Sequence, residues 1–288
     1  MELKIDGLTK QYGKKSAVDG FSTTFTEGIY GLLGANGSGK TTLMRIICDI
    51  LRPTSGEVFL DGVSIRLLGE SYRELLGYLP QNFGYYPDFT AWNFMMYLSS
   101  LKGLPKMIAE ERCKDLLDIV GLYEVRKKKI KTYSGGMRQR LGIAQSLIND
   151  PKILILDEPT AGLDPKERAK FRNIISENSS GKIILLSTHI VSDVEYIADE
   201  IIIMKEGRIS HKDVAENICN NIIGGVWSLE VYPREVDIYT SKFVVSNLKH
   251  NSEKVQLRIV SENRPSKSAV NVTPNLEDLY LYHFREDE

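Results

Sequence analysis

Short apolar runs alternate with amphipathic stretches along most of the chain. Residues 29–33 form an apolar run that ends in glycines. The apolar positions that follow at helical spacing are Leu43, Ile46, Ile47 and Ile50. The runs at 153–156 and 183–186 are continuous rather than alternating, which is typical of parallel strands covered on both faces. The pattern predicts a strand, a loop and a helix near the N-terminus, within an α/β fold.

Three N-terminal stretches carry strand patterns of another kind. They read "MELKIDGLTKQY", "FSTTFTEG" and "GEVFLDG", and they predict an antiparallel section. Residues 84–150 have a mostly helical pattern, in which Leu116, Leu117, Val120 and Leu122 form an apolar face. We therefore expect a helical insert between two parts of the α/β core.

The segment from about residue 211 onward carries weaker signals. The stretches "WSLEVYP" and "VQLRIVSE" alternate and predict short strands. The stretch "TPNLEDLYLYHF" predicts a closing amphipathic helix that begins at Thr273 or Pro274. Residues 211–288 are accordingly predicted to form a small α+β extension.

Composition limits the possible functions. The 288 residues allow one large domain with a smaller appendage. With 37 basic and 38 acidic side chains, the chain offers no general attraction to nucleic acid. The three cysteines lie in no metal or redox pattern and are interpreted as structural. No secretory signal and no apolar run of about 18 residues is present, so we expect a soluble, cytosolic chain.

The stretch "GANGSGKT" at residues 34–41, called the phosphate loop below, fits the pattern G-x-x-x-x-G-K-[ST]. Its glycines let backbone N–H groups point at phosphate oxygens, and the following helix adds its positive dipole end. Lys40 supplies a cation for the outer phosphates, and Thr41 can offer its hydroxyl to Mg²⁺. The residues predicted to bind nucleotide are Gly34, Ala35, Asn36, Gly37, Ser38, Gly39, Lys40, Thr41 and Thr42.

Two adjacent carboxylates follow the apolar run at 153–156. In "PKILILDEPT", Asp157 emerges at the carboxyl end of the predicted strand, where ligands of open α/β sheets bind. Asp157 is predicted to hold Mg²⁺, and Glu158 to polarise the water that attacks the γ-phosphate. A solvated turn is the alternative interpretation, and the phosphate loop favours the functional one.

A second anion cradle lies at residues 132–140, called the signature segment below. It reads "TYSGGMRQR", in which Ser134 can cap a helix and leave its first N–H groups free for an anion. "GANGSGKT", "YSGGMRQR", "ILILDEP", "AGLD" and "LLSTHI", in this order and spacing, resemble the ATP-binding subunit of ATP-binding cassette (ABC) transporters. The resemblance covers about residues 1–210.

The resemblance implies an α/β P-loop NTPase (RecA-like) core with an antiparallel β section. The core comprises residues 1 to about 80 and 151–210, and the helical signature subdomain comprises about 84–150. Tyr12 is implied to stack on adenine and Gln81 to reach Mg²⁺ and the attacking water. His189, after the run at 183–186, is implied to reach the γ-phosphate as a third catalytic residue beside Glu158 and Lys40.

The resemblance also explains why one chain carries two anion cradles. In this family the signature serine and glycines bind the γ-phosphate of the ATP held by the other subunit. Ser134, Gly135 and Gly136 would therefore complete a site built on the partner chain's copy of Lys40. Asp164 resembles the residue that crosses the dimer seam, and it is also an ordinary helix start before proline. A homodimer with two active sites is expected.

Two positions depart from the family's common form. Met137 stands where a glutamine is usual, so the amide contacts of that glutamine cannot be made. Trp92 and Asn93 stand where many relatives have a Glu-Asn pair, so an aromatic contact is expected to replace a charged one toward the membrane subunit.

The function implied is an ATP-hydrolysing subunit, using ATP and Mg²⁺, that powers a separate integral membrane permease. The protein would be cytoplasmic and peripheral on the inner face of the cell membrane, without a nucleic-acid partner. The tail resembles the C-terminal extension of exporter ATPases and favours export of a drug, peptide or lipid-like substrate. An importer subunit is the first alternative. A soluble ABC ATPase of DNA repair or translation is the second, and the chain lacks the coiled-coil heptads or second cassette of such proteins.

Overall fold

The computed structural model describes residues 1–220, 225–251 and 253–284. The chain divides into two units, Met1–Ser210 and His211–Glu288. The first unit begins with β1 (Leu3–Tyr12), β2 (Lys15–Phe25), β3 (Gly28–Leu33), α1 (Lys40–Ile47), β4 (Ser55–Leu60), β5 (Val63–Ser64), α2 (Ile65–Leu68), α3 (Glu70–Glu74) and β6 (Leu76–Leu79). It continues with α4 (Ala91–Leu101), α5 (Lys106–Ile119), α6 (Gly135–Ser146), β7 (Ile153–Asp157), α7 (Pro165–Glu177), β8 (Ile183–Thr188), α8 (Val191–Glu195) and β9 (Glu200–Lys205). Strand β10 (Arg208–Asp213) crosses the boundary between the units.

Two sheets form the first unit. One is antiparallel, with strand order β2-β1-β4-β5, and it contains the three strands predicted from the N-terminal stretches. The other has the order β10-β9-β3-β8-β7-β6 and pairs β6, β7, β8, β3 and β9 in parallel. Because β3, β7 and β8 run in parallel, their carboxyl ends meet at one edge of the sheet. The phosphate loop, Glu158 and His189 all follow these ends.

Burial explains the continuous apolar runs. Every residue of β7 and β8 is buried, as expected for strands covered on both faces. Helix α1 packs its predicted residues Leu43, Ile46 and Ile47 into the core. The prediction was wrong for Ile50, which is 55% exposed. The helix ends at Ile47 because Asp49 has a left-handed backbone with φ 56° and turns the chain away.

Residues 84–150 contain the helices α4, α5 and α6. The predicted apolar face on and after α5 is buried, and its members are Leu116, Leu117, Val120 and Leu122. Helix α5 has 14 residues. Within the described parts of the chain, no helix combines the length and the apolar character needed to cross a membrane.

The second unit contains α9 (Ala215–Asn220), β11 (Val226–Val231), α10 (Val236–Thr240), β12 (Val244–Asn251), β13 (Lys254–Val260), β14 (Val270–Val272) and α11 (Leu276–His283). Its sheet is antiparallel, in the order β12-β13-β11-β14. Helix α11 begins at Leu276, later than the predicted Thr273 or Pro274. The reason is a capping box, in which Asn275 accepts from the Asp278 N–H and Asp278 accepts from the Asn275 N–H.

Candidate active site

The phosphate loop joins β3 to α1, and close packing at two positions requires glycine. A Cβ on Gly34 would lie 2.5 Å from both the Met204 carbonyl and the Ser38 hydroxyl. Gly39 has φ 105°, and a Cβ there would run into the Ala17 carbonyl. The loop therefore wraps tightly against its neighbours and leads directly into the N-terminus of α1. That arrangement suits an anion.

Lys40 is the first residue of α1 and is buried. Its Nζ donates to the Gly34 carbonyl at 2.6 Å and to the Ala35 carbonyl at 3.1 Å. Burial lowers the pKa of Lys40, while the charges of Glu158 and Asp157 act in the opposite direction. A lysine held by neutral carbonyls in a buried position can exchange these partners for phosphate oxygens, which match its charge better.

Asp157 ends β7 and is fully buried. Its Oδ1 accepts from the Ser187 hydroxyl at 2.6 Å and from the Thr41 hydroxyl at 3.2 Å. Its Oδ2 is buried and has no hydrogen-bond partner in the protein. A buried carboxylate oxygen beside a hydroxyl fits Mg²⁺, which prefers oxygen ligands. Among the described residues no cluster of three or more His, Cys, Asp or Glu side chains could hold a metal.

Glu158 follows directly and has a left-handed backbone with φ 50°. Its N–H donates to both the carbonyl and the hydroxyl of Ser187 at 3.1 Å. Its Oε2 lies 2.9 Å from Nδ1 of His189, whose side chain is 49% exposed. The structure therefore brings together two residues that lie 31 positions apart in the sequence. The carboxylate is well placed to accept a proton, with the imidazole as its neighbour.

A cavity of about 540 Å³ contains most of the predicted nucleotide-binding side chains. Its lining includes Tyr12, Asn36, Lys40, Thr41, Gln81 and Glu158. Tyr12 is 52% exposed, with Lys10 Nζ lying 5.3 Å from the centre of its ring. The volume is within the range of ordinary ligand pockets. The cavity suits a ligand that has both a flat group and an anionic group. The exposed aromatic ring can contact the flat group, and the buried lysine can contact the anionic group.

The signature segment forms a different cradle. Ser134 caps α6, accepting from the Met137 N–H at 3.2 Å, and both Ser134 and Gly135 are exposed. Gly136 is buried, and a Cβ there would run into the Glu167 carboxylate. Asp164 caps α7. The described residues that line the 540 Å³ cavity do not include Ser134, Gly135, Gly136 or Asp164.

Sequence analysis missed two residues that organise the site. Ser187 binds both Asp157 and the Glu158 N–H, and the polar "ST" at the end of an apolar run could have signalled it. Gln139 donates its side-chain amide to the Pro159 carbonyl at 2.7 Å. No local signal marks Gln139, because this contact joins two segments that are 20 positions apart.

The chain is similar to known proteins over most of its length. The sequence profile of the ABC transporter family matches residues 18–161. An ABC transporter ATP-binding protein of Bacillus subtilis is 39% identical over 253 residues, which is 85% of this chain and 83% of that protein. The lantibiotic transport ATP-binding protein of Streptococcus pyogenes is 39% identical and covers 75% of this chain and 93% of its own. The Nod factor export ATP-binding protein I of Ralstonia nicotianae is 38% identical, covering 72% of this chain and 65% of its own length.

A solved structure gives the same result for the fold. A dimeric ATP-binding cassette in a post-hydrolysis state, bound to ADP and Pi, superposes with a TM-score of 0.68. It is 26% identical and covers 74% of this chain and 98% of its own. The chain therefore belongs to the ABC transporter family, as an ATP-binding and ATP-hydrolysing subunit.

Proposed function

We propose that two copies of this chain close face to face on ATP and that their hydrolysis cycle drives an integral membrane permease that exports its substrate. The observation that carries this proposal is the separation of the two anion cradles. The phosphate loop lines the cavity, whereas Ser134 and Gly135 are exposed and lie outside its lining. A chain that presents the second cradle outward can complete the site of another copy.

Nucleotide binding begins with the lysine. Lys40 exchanges the carbonyls of Gly34 and Ala35 for phosphate oxygens, and the ring of Tyr12 takes the adenine. Thr41 and the unpartnered Oδ2 of Asp157 would hold Mg²⁺, and Gln81 lines the same cavity as Thr41. When bound, Mg²⁺ neutralises charge on the phosphate oxygens.

Hydrolysis is assigned to Glu158. Its carboxylate accepts a proton from the attacking water, whose oxygen forms the new bond to the γ-phosphorus. The bond between this phosphorus and the β–γ bridging oxygen breaks, and its electrons leave with ADP. His189 contacts the carboxylate and is half-exposed, so the same imidazole can orient the base and reach the γ-phosphate.

Partner and direction rest on the relatives. They include a lantibiotic transport ATP-binding protein and a Nod factor export ATP-binding protein, which supports transport as the task and export as the direction. A membrane permease as the partner and the inner face of the membrane as the location belong to the same proposal. The dimeric neighbour supports a dimer here. We propose a drug, peptide or lipid-like molecule as the exported substrate.

The variant Glu158→Gln tests the assignment of the base. We expect loss of ATP turnover with retained ATP binding, and a stable ATP-bound dimer in size-exclusion chromatography with light scattering. Glu177→Gln, the same substitution at an exposed position at the end of α7, is the matched control and should behave as wild type. Normal hydrolysis by Glu158→Gln would remove Glu158 from this role.

A second experiment tests the partner. Tagged Glu158→Gln chain is purified with ATP and Mg²⁺ from detergent-solubilised native membranes, and the co-purifying proteins are identified by mass spectrometry. A multi-span membrane protein in stoichiometric amount supports the permease. Transport into or out of vesicles that contain this protein with the wild-type chain then gives the direction. Recovery of only soluble protein, ribosomes or nucleic acid would contradict the transporter assignment.

A further inference from the structure

The turn after β7 holds the proposed base in an uncommon backbone conformation. Glu158 has φ 50°, in the left-handed region that residues with a Cβ rarely adopt. Such a conformation persists only where surrounding groups determine it. The position of the Glu158 carboxylate therefore depends on the contacts that hold this turn.

Three of these contacts are hydrogen bonds to β8 and α8. On β8, Ser187 accepts from the Glu158 N–H with both its carbonyl and its hydroxyl. On α8, the fully buried Asp193 carboxylate accepts from the Thr160 hydroxyl. These contacts hold the first and the third residues of the turn.

The middle residue of the turn is held from the signature segment. Pro159 has no N–H, so its carbonyl is its one backbone hydrogen-bonding group. Gln139 of α6 donates to that carbonyl from Nε2 at 2.7 Å, and Pro159 is buried. Gln139 lies five residues after Ser134, which caps the same helix. One short rigid element thus joins the exposed cradle to the residue that follows the base.

We infer that Gln139 is a positioning residue that sets the Glu158 turn according to where α6 stands. The inference rests on the proposed function, in which the N-terminus of α6 meets the ATP held by the partner. When that ATP fixes α6, the Gln139 bond fixes Pro159, and with it the base of the same chain. Occupancy of one composite site is in this way communicated to the base of the other.

The chain offers a matched control on the same helix. Gln145 donates its Nε2 to the Tyr78 carbonyl of β6 at 2.9 Å. The bond has the same chemistry and is equally part-buried, but it does not reach the turn after β7. Gln139→Met and Gln145→Met each remove one amide donor and keep the side chain's length. Gln139→Glu is the second variant, because a carboxylate cannot donate and repels the carbonyl.

The experiment measures kcat, KM for ATP and thermal stability of the full chain for these three variants. We expect Gln139→Met to lower kcat about tenfold with little change in KM, because a misplaced base slows the chemical step and leaves ATP binding intact. Gln139→Glu should lower kcat further. Gln145→Met should keep the wild-type kcat even if its melting temperature falls as much as that of Gln139→Met.

Three results would overturn the inference. They are a wild-type kcat in both Gln139 variants, a loss of kcat in Gln145→Met equal to that in Gln139→Met, and a rise in KM without a fall in kcat. Glu158→Gln, measured in parallel, separates this failure from that of the proposed function. If Glu158→Gln is inactive while the Gln139 variants are normal, the assignment of Glu158 as the base is supported and the positioning role of Gln139 is refuted.

Discussion

The substitution Asp157→Asn is expected to stabilise the free chain while it abolishes ATP hydrolysis. Asp157 is fully buried, and its Oδ2 has no partner in the protein. Asparagine keeps the Oδ1 that accepts from Ser187 and Thr41, and it replaces the unpartnered charged oxygen with a neutral amide. The site that we propose for Mg²⁺ is therefore a source of instability in the free chain.

The magnitude follows from three contributions. A buried polar group without a partner costs about 1–3 kcal/mol, and more when the group is charged. The amide of asparagine also lacks a partner at this position. The gain in stability is therefore only the difference between the costs of burying a charged and a neutral unpartnered group. The attraction between Asp157 and Lys40 is lost, which reduces the gain. The net stabilisation should be about 1 kcal/mol, which raises the melting temperature by about 2–4 °C in a chain of this size.

Thermal unfolding without nucleotide measures this effect, and Asp193→Asn is the matched control. Asp193 is equally buried, but its two oxygens face the Thr160 hydroxyl and, at 3.5 Å, Arg172. Asp193→Asn should lower the melting temperature, because it removes a paired charge. If Asp157→Asn is destabilised to a similar extent, the orphaned oxygen is not a source of instability and the reasoning fails. In Asp157→Asn the additional stabilisation by Mg²⁺ in the presence of ATP should also disappear.

Three further predictions concern other parts of the chain. Asp278→Asn should lower stability by about 1–3 kcal/mol in urea unfolding, because the buried carboxylate accepts from both Nε and Nη2 of Arg258; unchanged stability would contradict this. Asp150→Asn should lower stability at pH 7 by less than about 1 kcal/mol, because this carboxylate is largely exposed. The hydrogen bond from Lys182 lowers the pKa of Asp150 in the folded chain, so the difference between wild type and variant should begin to shrink below the ordinary value of 3.8 and vanish once the pH is below the lowered pKa; a difference that does not shrink on acidification would count against the pair. Tyr12→Ala should weaken ATP binding by about 1–3 kcal/mol while Tyr12→Phe binds normally, as measured by calorimetry; equal losses would mean that the hydroxyl and not the ring is used.

The parallel strands could be predicted from the sequence because burial on both faces leaves a continuous apolar run. Strands β3, β7 and β8 all carry such runs. Since parallel strands align their carboxyl ends, residues placed directly after them were expected to lie together, and Lys40, Glu158 and Thr41 do line one cavity.

The remaining features depend on contacts that have no local sequence signal. The end of α1 was missed because Ile50 continues the helical spacing, while the left-handed Asp49 stops the helix. The start of α11 depends on the reciprocal bonds between Asn275 and Asp278. The bond from Gln139 to the turn after β7 forms only because α6 packs against that turn. The spacing of residues in the sequence does not predict it.

The central claim is that the phosphate loop of one chain works with the signature segment of another. Mixing two inactive variants tests it most directly. Lys40→Met disables the phosphate loop and leaves the signature segment intact. Gly135→Asp disables the signature segment by placing a carboxylate where phosphate would bind, and the fold should tolerate it, because a Cβ at Gly135 meets no atom within 4 Å.

Each variant alone should lack ATPase activity. In an equal mixture, half of the randomly formed dimers are mixed and each mixed dimer carries one intact composite site. The account therefore predicts recovery of ATPase activity to at most roughly a quarter of the wild-type value. A mixture as inactive as its components would contradict the composite site, because each phosphate loop would then depend on its own signature segment.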